Sequence, residues 1–171
     1  MLRTPEGSLV GHIARAKYMH RVIENGQDVL VIFRGLDAYV SPNSYPTKPL
    51  HHRHVPTWNY HVVHMHGSIA FQFDDQAKRA AVGLLTHAQK PRLNGNTAWR
   101  MADAPPDYIQ GMLDKIVAFR ISVTRTLAKS KLCQDDEGSG CLGVIAGLRG
   151  THHNAMAICI ETRLQDAANG S

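Results

Sequence analysis

Residues 57–73 read TWNYHVVHMHGSIAFQF, and this stretch decides the fold class of the chain. It is rich in β-branched and aromatic residues, which favour extended backbone. We therefore predict one long strand over Thr57–Gly67, which continues through Ser68–Phe73 after a glycine bulge or turn. The remaining strands of the sheet are expected before and after it in the sequence.

Shorter segments of the same character precede this strand. We expect a strand over Ser8–Ala14, followed by an amphipathic helix of about ten residues that ends with a left-handed cap at Asn25-Gly26. The continuous apolar run Val29–Phe33 predicts a strand that is buried on both faces in the middle of the sheet. Another strand is expected over Asp37–Ser41, joined to the previous one through Arg34–Leu36.

Helical patterns follow the long strand. Asp74-Asp75 supplies an N-cap, and alanines and leucines then recur at helical spacing up to roughly His87. A loop is expected over Pro91–Thr97, and the prolines after Asp103 announce a second helix. Val117–Leu127 alternates apolar with polar side chains, which predicts a half-buried strand.

The last part of the sequence is less regular. It contains an acidic, flexible loop at Asp135–Gly140 and a short apolar run at Gly143–Leu148, before a weakly patterned tail. Strands in runs, with helices at the margins, indicate an antiparallel sheet or barrel with helices packed outside, a mostly β or α+β fold. The 171 residues fit one domain, which we place at residues 1–150, with a tail of uncertain structure over 151–171.

Composition limits the class of protein. Nineteen Lys and Arg against fourteen Asp and Glu give a net charge of +5, which suggests an anionic partner. Hydrophobic residues make up 43% of the chain, which excludes global disorder. The three cysteines form no CxxC and suit a reducing cytoplasm. No apolar run approaches the roughly 20 residues that span a bilayer, and no signal peptide is expected.

Six of the eleven histidines fall between His51 and His66. On a strand, His64 and His66 would share one face, so this pair could converge on a metal ion. A metal site needs further ligands, and the nearest acids in sequence, Asp74 and Asp75, lie beyond a turn. We therefore favour solvated or hydrogen-bonded histidines and predict no metal site.

Basic, hydroxyl and aromatic side chains indicate an anionic aromatic ligand instead. A phosphate is bound by basic and hydroxyl donors, and a planar ring needs an aromatic or apolar wall. The alternative is that the aromatic residues of the long strand belong to the core. The donors are Arg15, Ser41, Lys48, Arg53 and Thr57, and the aromatic residues are Tyr39, Tyr45, Trp58 and Tyr60.

Motifs of other function classes are missing from the sequence. There is no G-x-S-x-G nucleophile elbow, no P-loop or Rossmann glycine pattern, and no pair of carboxylates in an apolar frame. No helix-turn-helix, zinc-finger or basic-zipper pattern is present, so binding to DNA would rest on net charge alone. We assign no catalytic residue.

Five phrases occur in an order that is typical of one family. They are GHIARA at 11–16, AYVSP at 38–42, VPTWNY at 55–60, DYIQGML at 107–113 and GVIAGL at 143–148. VPTWNY is the most specific of them. On these phrases the chain resembles the PaiB-like, FMN-binding negative transcriptional regulators of bacteria, and the resemblance covers residues 8–148.

This resemblance implies a split β-barrel with peripheral helices, a homodimer, and FMN in the groove between the subunits. It also implies repression of genes for protease synthesis and sporulation. By matching phrase, basic residues would neutralise the phosphate, hydroxyls would donate hydrogen bonds, and aromatic rings would pack near the flavin. The implied flavin site consists of His12, Arg15, Tyr39, Ser41, Lys48, Thr57, Trp58 and Asn59.

Two departures from the family pattern affect these expectations. Members normally carry the opening strands of the barrel ahead of GHIARA, whereas this chain begins almost at that phrase, so we expect part of the barrel wall to be missing. The family phrase K-x-K-L-S-Q-N-R stands here as KSKLCQDD at 129–136, with Cys133 in place of Ser.

Alternative functions are a flavin-dependent oxidoreductase, a haem-handling enzyme, and a dimeric binding module without cofactor.

Overall fold

The computed structural model describes residues 1–93 and 99–169 of the chain. The chain divides into two compact units. Unit 1 comprises Met1–Val31 and Met65–Thr126, and unit 2 comprises Ile32–His64 and Leu127–Ser171. Three long strands pass from one unit into the other.

The fold is α+β, with helices beside one antiparallel sheet, as predicted. The strand order is β1-β2-β5-β4-β3, and within the described residues the sheet is open, with β1 and β3 at its edges. The strands are β1 (Leu2–Arg3), β2 (Leu9–Ala14), β3 (Asp28–Val40), β4 (Thr57–Gln72) and β5 (Ile116–Lys131). The α-helices are α1 (Met19–Val22), α2 (Lys48–His51), α3 (Asp75–Leu93), α4 (Pro106–Leu113), α5 (Gly138–Gly150) and α6 (Asn154–Asn169).

The core of unit 1 lies where β2 pairs with β5 and α3 packs against β2. Val10 of β2, Ala81 of α3 and Ala118 of β5 form one buried cluster. Gly11 is required beside them, because a Cβ at this position would lie 2.6 Å from the ring of Phe119. Helix α4 packs against α3 and buries its own Ile109 and Leu113. This arrangement positions His12 of β2 near α4.

The core of unit 2 is a helical layer against the ends of long strands. Ala38 and Val40 of β3 are buried together with residues of α5 and α6, which pack on each other. Two glycines of α5, Gly143 and Gly147, allow the turn after β3 to approach closely. A Cβ on either glycine would lie within 2.4 Å of an oxygen of Ser44.

Several sequence predictions are confirmed. The long strand is β4. It runs through Gly67 without interruption, so the expected bulge or turn at this glycine was wrong. A Cβ at Gly67 would lie 2.3 Å from the Ser122 carbonyl oxygen, so glycine marks close strand contact there. Asp74 caps α3, since its Oδ1 accepts a hydrogen bond from the Ala77 amide at 2.8 Å. Gly26 adopts the left-handed conformation, with φ of +87°, but the helix before it ends at Val22, so Gly26 does not cap that helix as predicted.

The prediction of two strands at Val29–Phe33 and Asp37–Ser41 was wrong, because they form the single strand β3. Gly35, which suggested a break, is a point where β4 comes close: a Cβ there would lie 3.0 Å from Cβ of His61. The expected burial on both faces was also wrong, since Leu30 and Ile32 are 46% and 52% exposed. Branched side chains predict extended backbone, but they do not specify whether a strand is central or at an edge.

The helices also differ from the predictions in extent. The first helix covers only Met19–Val22, and the predicted strand at Val117–Leu127 runs on to Lys131. Helix α3 continues beyond His87 to Leu93, so the first three residues of the expected loop at Pro91–Thr97 are helical. Residues 94–97 of that prediction lie outside the described residues. Only the last three residues of the predicted acidic loop, 138–140, belong to α5, together with the apolar run after it. The tail contains α6, whose Met156, Ala157 and Ile160 are buried.

Candidate functional site

Unit 2 carries a pair of exposed aromatic side chains that contact each other. Tyr39 of β3 and Trp58 of β4 contact each other edge to face, with ring centroids 5.8 Å apart and an interplanar angle of 70°. Their exposed fractions are 48% and 53%, so the expectation that strand aromatics belong to the core does not hold for this pair. Asn59, the next residue along β4, is buried, in agreement with strand alternation.

Two lysines of β5 lie beside the aromatic residues of β4. Lys131 donates a hydrogen bond from Nζ to Oγ1 of Thr57. The Nζ atom of Lys129 lies 5.9 Å from the ring centroid of Tyr60, within reach of a cation–π interaction. Trp58, Thr57, Tyr60 and both lysines line one open groove, together with Asp135. Neither lysine was predicted as a site residue, although their spacing of two residues on a strand predicts that they share a face.

A small polar cavity of about 230 Å³ lies next to this groove, and Asn59 and Cys133 contribute to its wall. Nδ2 of Asn59 donates to the sulfur of Cys133 at 3.1 Å. Among the described residues, no group bonds to Oδ1 of Asn59, which is a buried acceptor. Arg53, Lys131, Asp135 and Asp136 also line the cavity. The cavity therefore offers positively charged hydrogen-bond donors and negatively charged acceptors.

Burial raises the pKa of two groups in the wall of that cavity, Cys133 and Tyr45. Burial raises the pKa of Cys133 to about 11, so the thiol stays protonated and unreactive near neutral pH. The pKa of Tyr45 is raised as well, first by burial and then by the negative charge of Asp136. The Tyr45 hydroxyl donates to Oδ2 of Asp136 at 3.2 Å, and its ring stacks on His54 at a centroid distance of 4.2 Å. These residues form the structural frame of the cavity.

Ser41 and Lys48 shape the turn that follows β3. Oγ of Ser41 accepts a hydrogen bond from the Asn43 amide at 3.2 Å, and Nζ of Lys48 donates to Oδ1 of the same asparagine. Both side chains thus hold the turn in place. Tyr39, Thr57, Trp58 and Asn59 are brought together on adjacent strands of unit 2, whereas Ser41 and Lys48 lie in the turn.

His12 and Arg15 belong to unit 1. Arg15 is exposed just after β2, where its backbone amide donates to the Lys115 carbonyl at 2.7 Å. His12 lies in the wall of an apolar cavity of about 310 Å³. Partial burial, with a smaller contribution from the Met1 amino group, lowers the pKa of this imidazole.

Two histidines of β4, His61 and His66, take part in hydrogen bonds. Nη2 of Arg125 lies 3.0 Å from Nε2 of His66, so a guanidinium group faces this imidazole, and Nδ1 of His61 lies 2.8 Å from Oγ of Ser130. Within residues 1–93 and 99–169, no three His, Cys, Asp or Glu side chains lie close enough together to hold a metal ion. In the same residues, every helix is too short or too polar to span a membrane.

Comparisons with known proteins show which family this chain resembles. Residues 1–125 match the family described as "Putative FMN-binding domain". The "Protease synthase and sporulation protein PAI 2" of Bacillus subtilis is 32% identical over 160 residues, covering 92% of this chain and 73% of that protein. An uncharacterized protein of Aspergillus fumigatus is 28% identical over 171 residues, covering 82% of this chain and 66% of the relative. One of Emericella nidulans is 30% identical over 134 residues, covering 73% and 53%.

Proposed function

Since this chain belongs to the FMN-binding domain family that its residues 1–125 match, we propose that it acts as an FMN-binding transcriptional regulator of the PaiB-like kind. Its role would be repression of genes for protease synthesis and sporulation, in the cytoplasm. The family resemblance and the name of the Bacillus subtilis relative support this role. When bound, FMN supplies a redox-active ring, and the protein supplies binding and orientation.

The exposed Tyr39–Trp58 pair carries the proposal. Two large rings at 48% and 53% exposure on adjacent strands offer a wall for a planar ligand. Lys129 and Lys131 stand beside that wall and supply positive charge for a phosphate. One carboxylate, Asp135, lines the same groove, so the lysines outnumber it. This combination of rings and cations fits a phosphorylated aromatic cofactor.

The buried amide of Asn59 adds a second point of fit. Its Oδ1 lacks a hydrogen-bond donor among the described residues, and a buried acceptor without a partner is destabilising by about 1–3 kcal/mol. The hydroxyls of the FMN ribityl chain are donors of the kind that this oxygen lacks. We therefore place the ribityl chain toward Asn59 and the phosphate toward the two lysines.

We further propose that two copies of the chain associate through the edge strand β3. Ile32 and Leu36 of β3 share a face, and they are 52% and 42% exposed. Farther along the same strand, Ala38 and Val40 continue that face and are buried. An uncovered apolar face that continues a buried one is typical of an interface. A second copy would cover this face.

A titration of the purified chain with FMN tests the proposal. We expect saturable quenching of flavin fluorescence and a yellow protein after gel filtration. Trp58→Ala should weaken the affinity by about tenfold, since stacking on an aromatic side chain contributes about 1–3 kcal/mol. Tyr18→Ala is the matched control, because Tyr18 is an exposed aromatic residue of unit 1.

A colourless protein with unchanged flavin fluorescence would contradict FMN binding. Reduction of the bound flavin by NADH or NADPH with turnover would show an oxidoreductase instead of a regulator. For the regulatory role, binding to promoter DNA should weaken steeply as salt rises, because phosphate contacts release counterions. A flat salt response would argue against direct DNA binding.

A further inference from the structure

The apolar cavity of unit 1 differs in its chemistry from the flavin groove. Its floor is aliphatic, with Ile109 and Leu113 of α4 only 8% and 3% exposed. Its rim keeps large side chains half exposed: Trp99 at 48%, Tyr108 at 59% and Met112 at 45%. The remaining described residues of the wall are His12, Val82, Met101 and Ile116.

The described residues of the wall include no charged side chain that would bind a phosphorylated ligand. Among the described residues that line the cavity there is no lysine, arginine or carboxylate, and His12 is the single basic side chain. A phosphate placed here would lose its hydration without gaining a cation. The cavity is therefore unsuited to the phosphate end of FMN.

We propose that this cavity binds a small, uncharged aromatic molecule that carries one hydroxyl or N–H group. Its volume of about 310 Å³ is at the lower end of the range of small-molecule sites, which suits one or two fused rings. Trp99 and Tyr108 offer ring contacts, and the thioethers of Met101 and Met112 adapt to aromatic edges. His12 is the polar group that would fix the orientation of the ligand.

The protonation of His12 fits this role. Its pKa is lowered by partial burial, so the ring is neutral near neutral pH. A neutral imidazole carries one nitrogen that accepts a hydrogen bond. A ligand hydroxyl or N–H group would donate to that nitrogen, whereas an anionic ligand would find no donor with a positive charge. The proposed ligand goes beyond FMN and uses residues of unit 1 alone.

Calorimetric titration of the full chain with 2-naphthol, and with naphthalene as the ligand that lacks the hydroxyl, tests the proposal. We expect saturable binding of 2-naphthol with one site per chain. Met112→Trp should fill the cavity and weaken binding at least tenfold, and a loss of this size corresponds to about 1.4 kcal/mol. Leu84→Trp is the control, because Leu84 is 43% exposed in unit 1 and does not line the cavity.

The second variant, His12→Leu, tests the hydrogen bond. We expect it to weaken 2-naphthol binding by about five- to tenfold and to leave naphthalene binding unchanged, as loss of one hydrogen bond predicts. Both variants should keep the far-UV circular dichroism of the parent chain. Addition of FMN should not displace 2-naphthol.

Three outcomes would overturn the proposal. The first is no saturable binding of 2-naphthol up to its solubility limit, and the second is equal binding by the folded Met112→Trp variant and the parent. The third is competitive displacement of 2-naphthol by FMN, which would make the cavity part of the flavin site. Because the flavin titration is read separately, failure here would leave FMN binding intact.

Discussion

Aromatic side chains stand half exposed in both units, but the groups beside them differ. In unit 2, Tyr39 and Trp58 lie near Lys129 and Lys131, so an aromatic wall is combined with positive charge. In unit 1, Trp99 is accompanied by thioethers, aliphatic side chains and one imidazole. The rings themselves do not distinguish a phosphorylated from an uncharged ligand. The charge of their neighbours does, and this difference can be tested by changing one unit at a time.

The largest effect is expected from Ile160→Ala, which removes a fully buried side chain from α6 of unit 2. The lost contacts and the cavity should lower the free energy of unfolding by about 2–5 kcal/mol. Urea unfolding, followed by the fluorescence of Trp58 in a Trp99→Phe background, measures this in unit 2. Ile158→Ala on the same helix is the control, because Ile158 is 55% exposed. Equal losses in both variants would contradict the packing of α6.

A smaller effect is expected from Ile32→Lys on the exposed face of β3. A lysine there would lose hydration if a second copy covers this face, so the dimer dissociation constant should rise by at least tenfold, or about 1.4 kcal/mol. Sedimentation velocity over a concentration series measures the change. Val22→Lys, at an apolar residue of unit 1 that is 70% exposed, should leave dimerisation unchanged. A parent chain that sediments as a monomer would refute the proposed interface.

The contrast in charge between the two sites is tested by Lys131→Gln. Removal of this cation from the open flavin groove should weaken FMN binding by about fivefold, because an ion pair exposed to solvent contributes up to about 1 kcal/mol. The same variant should bind 2-naphthol like the parent. Fluorescence and calorimetric titrations measure the two affinities, with Lys17→Gln as the control for net charge. Equal weakening of both ligands would show that the two sites are not distinct.

The smallest effect is a pH dependence from His12. Its folded pKa lies below the ordinary value of 6.5, so the unfolded chain binds more protons in the window just below 6.5. Stability should therefore fall as pH is lowered through that window, and His12→Gln should remove this part of the slope. Urea unfolding between pH 7.5 and pH 5 measures it. A titration of His12 by NMR with a midpoint above 6.5 would contradict the lowered pKa.

The sequence was most informative where side-chain pattern and backbone preference agree. Residues 57–73 predicted β4, and the Asp74 cap predicted the start of α3, because both signals are local. The edge position of β3 was missed, since it depends on which strands pair rather than on composition. The helix α6 was missed because its apolar residues are sparse and are buried by α5, which is a tertiary effect.

The candidate site could be predicted only in part for the same reason. The VPTWNY phrase predicted that Thr57, Trp58 and Asn59 belong to the flavin site. The structure places them on one strand, where Trp58 is exposed and Asn59 is buried. Lys129 and Lys131 come from a strand far away in sequence, and only strand pairing brings them to Thr57 and Tyr60. The flavin roles of His12 and Arg15 in unit 1, and of Ser41 and Lys48 in the turn of unit 2, stay predictions. For His12, displacement of 2-naphthol by FMN would favour the flavin role over the role in the apolar cavity.

The two glycines of α5 have a mechanical consequence. At Gly143 and Gly147, the helix backbone lies directly against Ser44 and the ring of Pro46 in the turn after β3. Such a contact transmits displacement rather than absorbing it, because a short side chain and a closed ring have little freedom to yield. A shift of α5 along its axis would therefore move the turn and Lys48 together with the helix, as one rigid body.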